Sequence, residues 1–151
     1  MSADKTNASG NFSDFEKKAM MERARELKAE QKASKKRELG EAALQEAIAA
    51  MPPSDREIAE RIHKIVCETT PELWPKTWYG MPAYANEEGK VVFFFQGAEK
   101  FESRYATFGF NDTAQLDDGN VWPTAYAIKK LSDNEEKMIA KLLKKAVGKT
   151  D

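Results

Sequence analysis

Residues 75–84 read Pro75-Lys76-Thr77-Trp78-Tyr79-Gly80-Met81-Pro82-Ala83-Tyr84, and how this stretch is read decides the fold. Gly80 admits backbone angles that a side chain penalises, while Pro82 fixes its own φ and pushes Met81 towards extended backbone. The segment therefore reads as two short extended pieces joined by a tight bend. It displays Trp78, Tyr79, Met81 and Tyr84, side chains that bury large area and also line pockets.

Strand sequence lies downstream. Asn86-Glu87-Glu88-Gly89 is a turn, and residues 90–96 are dense in Val and Phe, as a buried strand requires. Residues 103–110 alternate, with Tyr105, Thr107 and Gly109 against Ala106, Phe108 and Phe110, which predicts a strand with two unlike faces. Tyr126-Ala127-Ile128 is a short last strand. Ser132-Asp133-Asn134-Glu135 is a capping box opening a final helix with Met138, Ile139, Leu142, Leu143, Ala146 and Val147 on one face, closed by Gly148.

Helical sequence lies upstream. Ser54-Asp55-Arg56-Glu57 reads as a capping box before a stripe of Ile58, Ile62, Ile65 and Val66, and Pro52-Pro53 stops the helix that precedes it. That preceding helix is expected from Glu41, with Gly40 ending the region before it. Further upstream, Ser13-Asp14-Phe15-Glu16 is a third capping box. It opens a helix to about Ser34 whose apolar face (Phe15, Ala19, Met20, Leu27) is thin, followed by the basic run 32–37 as a solvated linker. Residues 1–11 read as a disordered tail, residues 12–39 as a charged helical arm with its linker, and residues 40–148 as the folded domain. Helices, then consecutive strands, then a helix argue for an α+β domain: an antiparallel sheet flanked by N- and C-terminal helices.

Charge is balanced, with 24 basic against 25 acidic residues, which points globally to neither nucleic acid nor membrane. No apolar run reaches the roughly 20 residues of a membrane span, and residues 1–11 lack the apolar core of a signal peptide. The single Cys67 suits a reducing, cytoplasmic setting.

Candidate chemistry is sparse. His63 and Cys67 share a helix face at i, i+4 spacing, but two ligands do not complete a zinc site. No Walker lysine, dinucleotide-binding glycine pattern or nucleophile elbow is present. The aromatics gathered between residues 74 and 126 exceed what a core of this size needs. The surplus is expected to line a concave sheet groove formed by Trp78, Tyr79, Met81, Tyr84, Lys100 and Tyr105, with Lys76, Lys100 and Arg104 as anchors for an anionic or aromatic ligand. A nucleic-acid contact through residues 32–37 is the alternative for the basic run; the run has no interleaved aromatics for bases to stack on.

Ser54-Asp55-Arg56, then Trp78-Tyr79-Gly80-Met81-Pro82-Ala83-Tyr84, then Gly89-Lys90-Val91-Val92-Phe93-Phe94 resemble the YdhG-like domain family. Lys100, Tyr105 and Phe108-Gly109-Phe110 are similar as well, so the resemblance covers about residues 41–148. It implies a frataxin-like α+β fold. One member of that family is described as an intracellular iron chaperone, so the resemblance also implies ferrous iron held by helix carboxylates, here Glu57, Glu60 and Glu68. Arg56, Arg61 and Lys64 interrupt that acidic surface. The leading expectation is a non-enzymatic binding or accessory protein, acting through the aromatic groove on a small molecule or a protein.

Overall fold

The computed structural model describes residues 13–149; the expected tail 1–11 and Phe12 lie outside the described residues. The chain is α+β, in the order α1 (Asp14–Ala49), α2 (Pro53–Thr69), β1 (Trp74–Trp78), β2 (Met81–Ala85), β3 (Val91–Gln96), β4 (Ala106–Phe110), β5 (Ala125–Ile128) and α3 (Asp133–Ala146). Two compact units divide between Lys36 and Arg37.

The helix start at Ser13 is as expected: Glu16 N–H donates to Ser13 Oγ at 3.1 Å, and Ser13 N–H donates to Glu16 Oε1 at 3.2 Å. The expected helix end near Ser34, the linker at 32–37 and the break at Gly40 are not found, because α1 runs helical through all of them. Ala, Glu, Lys and Gln favour helix enough to absorb one glycine, which costs about 1 kcal/mol. Gly40 has a different role. A Cβ there would stand 2.1 Å from the Pro75 carbonyl oxygen, so the residue lets α1 touch the backbone of β1.

The capping box expected at Ser54 is also corrected. Pro52 is the N-cap of α2, Pro53 opens the helix, and no side chain caps it. Asp55 is freed for another task. Its buried carboxylate accepts the Ala98 N–H at 3.1 Å and the Glu99 N–H at 3.0 Å, tying the loop after β3 to the start of α2. At α3 the box is present, with the Ser132 and Glu135 side chains each meeting the other's backbone N–H. Gly148, at φ +81°, closes the helix as Lys149 N–H donates to the Lys144 carbonyl.

The five strands form one antiparallel sheet in chain order, β1-β2-β3-β4-β5. Trp78 pairs with Met81 across a two-residue turn in which both Tyr79 and Gly80 have positive φ, the type I′ requirement. Register then sorts the side chains, since directly paired residues share a face. Pro75, Tyr84, Phe93 and Phe110 form one cross-strand row. Tyr84, Phe93 and Phe110 of this row join Leu44 and Ile48 of α1, Ile58, Ile62, Ile65 and Val66 of α2, and Ile139 and Leu143 of α3 in a single core. The next row, Lys76, Ala83, Phe94, Gly109 and Ala125, faces the other way and takes no part in that core. In this unit the helices therefore cover one side of the sheet; on the other, the open side facing no helix, Ala83 and Gly109 are buried among larger neighbours while Lys76 and Phe94 are half-buried.

Candidate functional site

Alternation along β1 turns Trp74, Lys76 and Trp78 to the open side, all half-buried. Phe94 of β3 lies on the same side, its ring 5.3 Å from that of Trp78. It lies flat because Gly109 is beside it: a Cβ at residue 109 would be 2.4 Å from Phe94 Cζ. Tyr79, at the hairpin tip and 81% exposed, makes a T-shaped contact with Trp78 at 5.0 Å between ring centroids. Beside this aromatic floor is a hollow of about 450 Å³, walled by Lys76, Trp78, Lys90, Asn111, Asp112 and Thr113. Lys76, Lys90 and Asp112 bring charge to that wall; Lys90 also pairs with Glu88 at 3.9 Å, which leaves Lys76 as its cation without an ion pair among the described residues.

The expected groove of six residues divides among four places. Trp78 is on the open face, with Tyr79 at its tip. Tyr105 stands just before β4, its ring 5.3 Å from the Arg104 guanidinium. Met81 and Lys100 line a different cleft, of about 390 Å³, with Ala47, Met51, Pro52 and Phe101. Lys100 there reaches over Gly80: its Nζ is 2.7 Å from where a Gly80 Cβ would be.

Tyr84 is on no surface at all. The pleat that turns Ala83 outward turns Tyr84 towards the helices, where it is 1% exposed. Its hydroxyl is 2.8 Å from His63 Nδ1, and His63 Nε2 is 2.9 Å from Glu41 Oε2. Cys67 Sγ lies 3.6 Å from the same Nε2, so the expected pairing of His63 with Cys67 on one helix face is met. With neutral imidazole, the phenol donates to Nδ1 and Nε2–H donates to the carboxylate, which satisfies every buried polar atom in the row. Burial foremost, and the nearby Cys67 and Glu41 after it, push the Tyr84 phenol well above its ordinary 10. Burial, then Glu41, raises the Cys67 thiol too, while Arg37 opposes the rise. The network suits a packed polar core, and its thiol is made less reactive by its surroundings.

Glu57, Glu60 and Glu68 are exposed along α2. Glu57 and Glu68 are separated by about 16 Å of helix axis, too far to share one ion. Among the described residues no three His, Cys, Asp or Glu side chains form a group able to hold a metal. No described helix is long and apolar enough to cross a membrane.

Sequence reasoning missed Phe94, Lys90, Asn111 and Thr113. Phe94 was within reach, because alternation through Phe93-Phe94-Phe95 puts the middle ring opposite its neighbours. The loop residues carried no signal, since only the sheet register brings residues 90 and 111–113 beside Lys76. Glu41 was missed as the partner of His63 for the same reason. Comparison with family models, with curated proteins and with solved structures finds no match for this chain.

Proposed function

We propose that the unit from Arg37 onward is a binding protein whose open sheet face takes a planar ligand carrying negative charge. One observation carries this: a hollow of about 450 Å³ whose lining joins Trp78 to Lys76 and Lys90. That volume falls in the range of small-molecule sites, and the lining sets one aromatic side chain among Lys76, Lys90, Asp112 and the polar Asn111 and Thr113, which suits a charged ligand. Stacking on Trp78 holds the plane of the ligand, while the Lys76 ammonium, helped by Lys90, itself shared with Glu88, selects its charge. The assignment to a YdhG-like, frataxin-like domain belongs to the same proposal. It is supported by the element order and by helices confined to one side of the sheet. Iron handling through Glu57, Glu60 and Glu68 lacks comparable support, because the three carboxylates are strung along the helix.

The test is an indole N–H titration by NMR with planar anions such as flavin mononucleotide and adenosine monophosphate. The Trp78 resonance is expected to move and that of Trp122, which packs against the core cluster, to stay. Lys76→Gln is expected to weaken binding about tenfold, the loss of one partly desolvated charge contact of about 1.4 kcal/mol, without loss of fold. If no planar anion moves Trp78 at millimolar concentration, or if Trp78→Ala unfolds the domain instead of abolishing binding, the proposal is wrong.

A further inference from the structure

The first unit carries a surface of another kind. In α1 up to Lys36, every described side chain is exposed except the half-buried Ala33. Lys17, Lys18, Arg25, Lys28, Lys32, Lys35 and Lys36 are the cations here apart from Arg23. At 3.6 residues per turn, these seven fall within an arc of about 100°, a stripe about 28 Å long. The glutamates Glu16, Glu22, Glu26 and Glu30 fall on the other side. Arg23 lies among them and pairs with Glu26 at 3.3 Å and Glu30 at 3.6 Å. Asp14 alone shares the basic side, at the helix start, where the helix dipole favours an acid. Among the described residues none of the seven cations has an ion pair.

This arrangement opposes the stability of the helix itself. Lys28, Lys32 and Lys36 stack at i, i+4, as do Glu22, Glu26 and Glu30, and like charges at that spacing destabilise a helix. A helix kept only as a solvated spacer is better served by acids and bases alternating along each face. Separation of the charges makes sense when a polyanion supplies the missing countercharge.

The identity of that polyanion follows from what the rest of the helix lacks. A membrane-surface helix needs a continuous apolar face opposite the lysines, and here the exposed Phe15, Met20 and Leu27 are interspersed with Glu16, Glu22, Glu26 and Glu30. A single nucleic-acid strand needs aromatics to stack on, and the stripe has none. Duplex DNA needs only phosphate contacts, and its major groove, about 12 Å wide, admits a helix about 10–12 Å across. The deep, narrow major groove of an RNA duplex does not.

We infer that α1, through Lys17, Lys18, Arg25, Lys28, Lys32, Lys35 and Lys36, binds the phosphate backbone of double-stranded DNA without regard to sequence. Arg37, the last residue of the basic run, is not part of this surface. Its guanidinium donates to the carbonyls of Pro71 and Leu73 and lies 5.9 Å from the Trp74 ring.

The experiment is fluorescence anisotropy of the full chain against a labelled 20-base-pair DNA duplex, from 50 to 200 mM salt. If all seven cations release counterions, log K falls against log salt with a slope of about −6, and the Lys28/Lys32/Lys35→Gln triple variant is shallower by about 3. The triple variant is expected to bind about tenfold or more weakly at 0.1 M salt. Gln preserves helix propensity, and circular dichroism checks that the helix persists. Arg23→Gln, on the acidic side, is expected to leave binding unchanged. Absence of binding at 50 mM salt overturns the inference, as does a triple variant that binds like the parent. So does equal or tighter binding to an RNA duplex or to phosphatidylserine vesicles.

Discussion

Replacing Asp55 by Ala tests the contact on which the loop after β3 depends. The carboxylate is 4% exposed and accepts two backbone N–H groups, Ala98 at 3.1 Å and Glu99 at 3.0 Å. A hydrogen bond to a charged acceptor is worth about 1.5–3 kcal/mol, and a buried donor left unpaired costs about as much. Glu99 is exposed and Ala98 half-buried, so water replaces the first bond far better than the second. Counting the Ala98 bond in full and the Glu99 bond in part gives a loss of about 3 kcal/mol. Asp55→Asn keeps one acceptor but turns an amide N–H₂ towards the other donor, so about half of that loss is expected. Urea unfolding measures both, with an unchanged m-value expected because the fold itself is kept. Gly97 supplies an internal check. A Cβ there would be 3.0 Å from Asp55 Oδ2, so Gly97→Ala disturbs the same carboxylate. The two substitutions should therefore be non-additive in a double-mutant cycle. A loss below about 1 kcal/mol for Asp55→Ala, with the Ala98 amide still protected from hydrogen exchange, would falsify the assignment of this side chain as the loop's anchor.

Two further outcomes are expected. Gly40→Ala should raise stability by about 1 kcal/mol on helix propensity alone, but the Cβ contact with the Pro75 carbonyl oxygen should reverse the sign and cost about 1–3 kcal/mol; a higher melting temperature would refute the close approach of α1 to β1. Tyr84 holds its proton well above pH 10 in the fold, while the unfolded chain releases it near 10. Above about pH 10 the native state therefore binds more protons than the unfolded one, and stability falls as pH rises. Phenolate absorbance should show one tyrosine that ionises only as circular dichroism reports unfolding, and Tyr84→Phe should remove that late step. Ionisation of every tyrosine while the fold persists would place Tyr84 outside the core.

Local chemistry was legible in the chain where a residue's role depends only on its neighbours in sequence. The capping boxes at Ser13 and Ser132, the cap at Gly148 and the positive-φ turn at Gly80 are of this kind. So are the stripes of α2 and α3 and the strands at 91–96 and 106–110. Ser54 failed because the same four-residue pattern stood one step behind Pro53, which took the first helical position. The basic run is helical and not a linker, because Lys, Ala and Gln favour helix and the cations of residues 17–36 recur with the helical period.

The remainder was set by tertiary structure, because it depends on partners far along the chain. Gly40 looks like a helix stop until the Pro75 carbonyl occupies the space of its side chain. Asp55 looks like a cap until two amides 43 and 44 residues away claim its oxygens. Trp78 and Tyr84 look alike in sequence, and only the pleat and register of the sheet send one to the open face and bury the other beneath the helices. Sequence alone thus determined most of the elements, through backbone and propensity, but not the unbroken course of α1 through residues 34–40. Packing alone decided which aromatic faces remain available to a ligand, since a strand's two faces become unlike only when helices cover one of them.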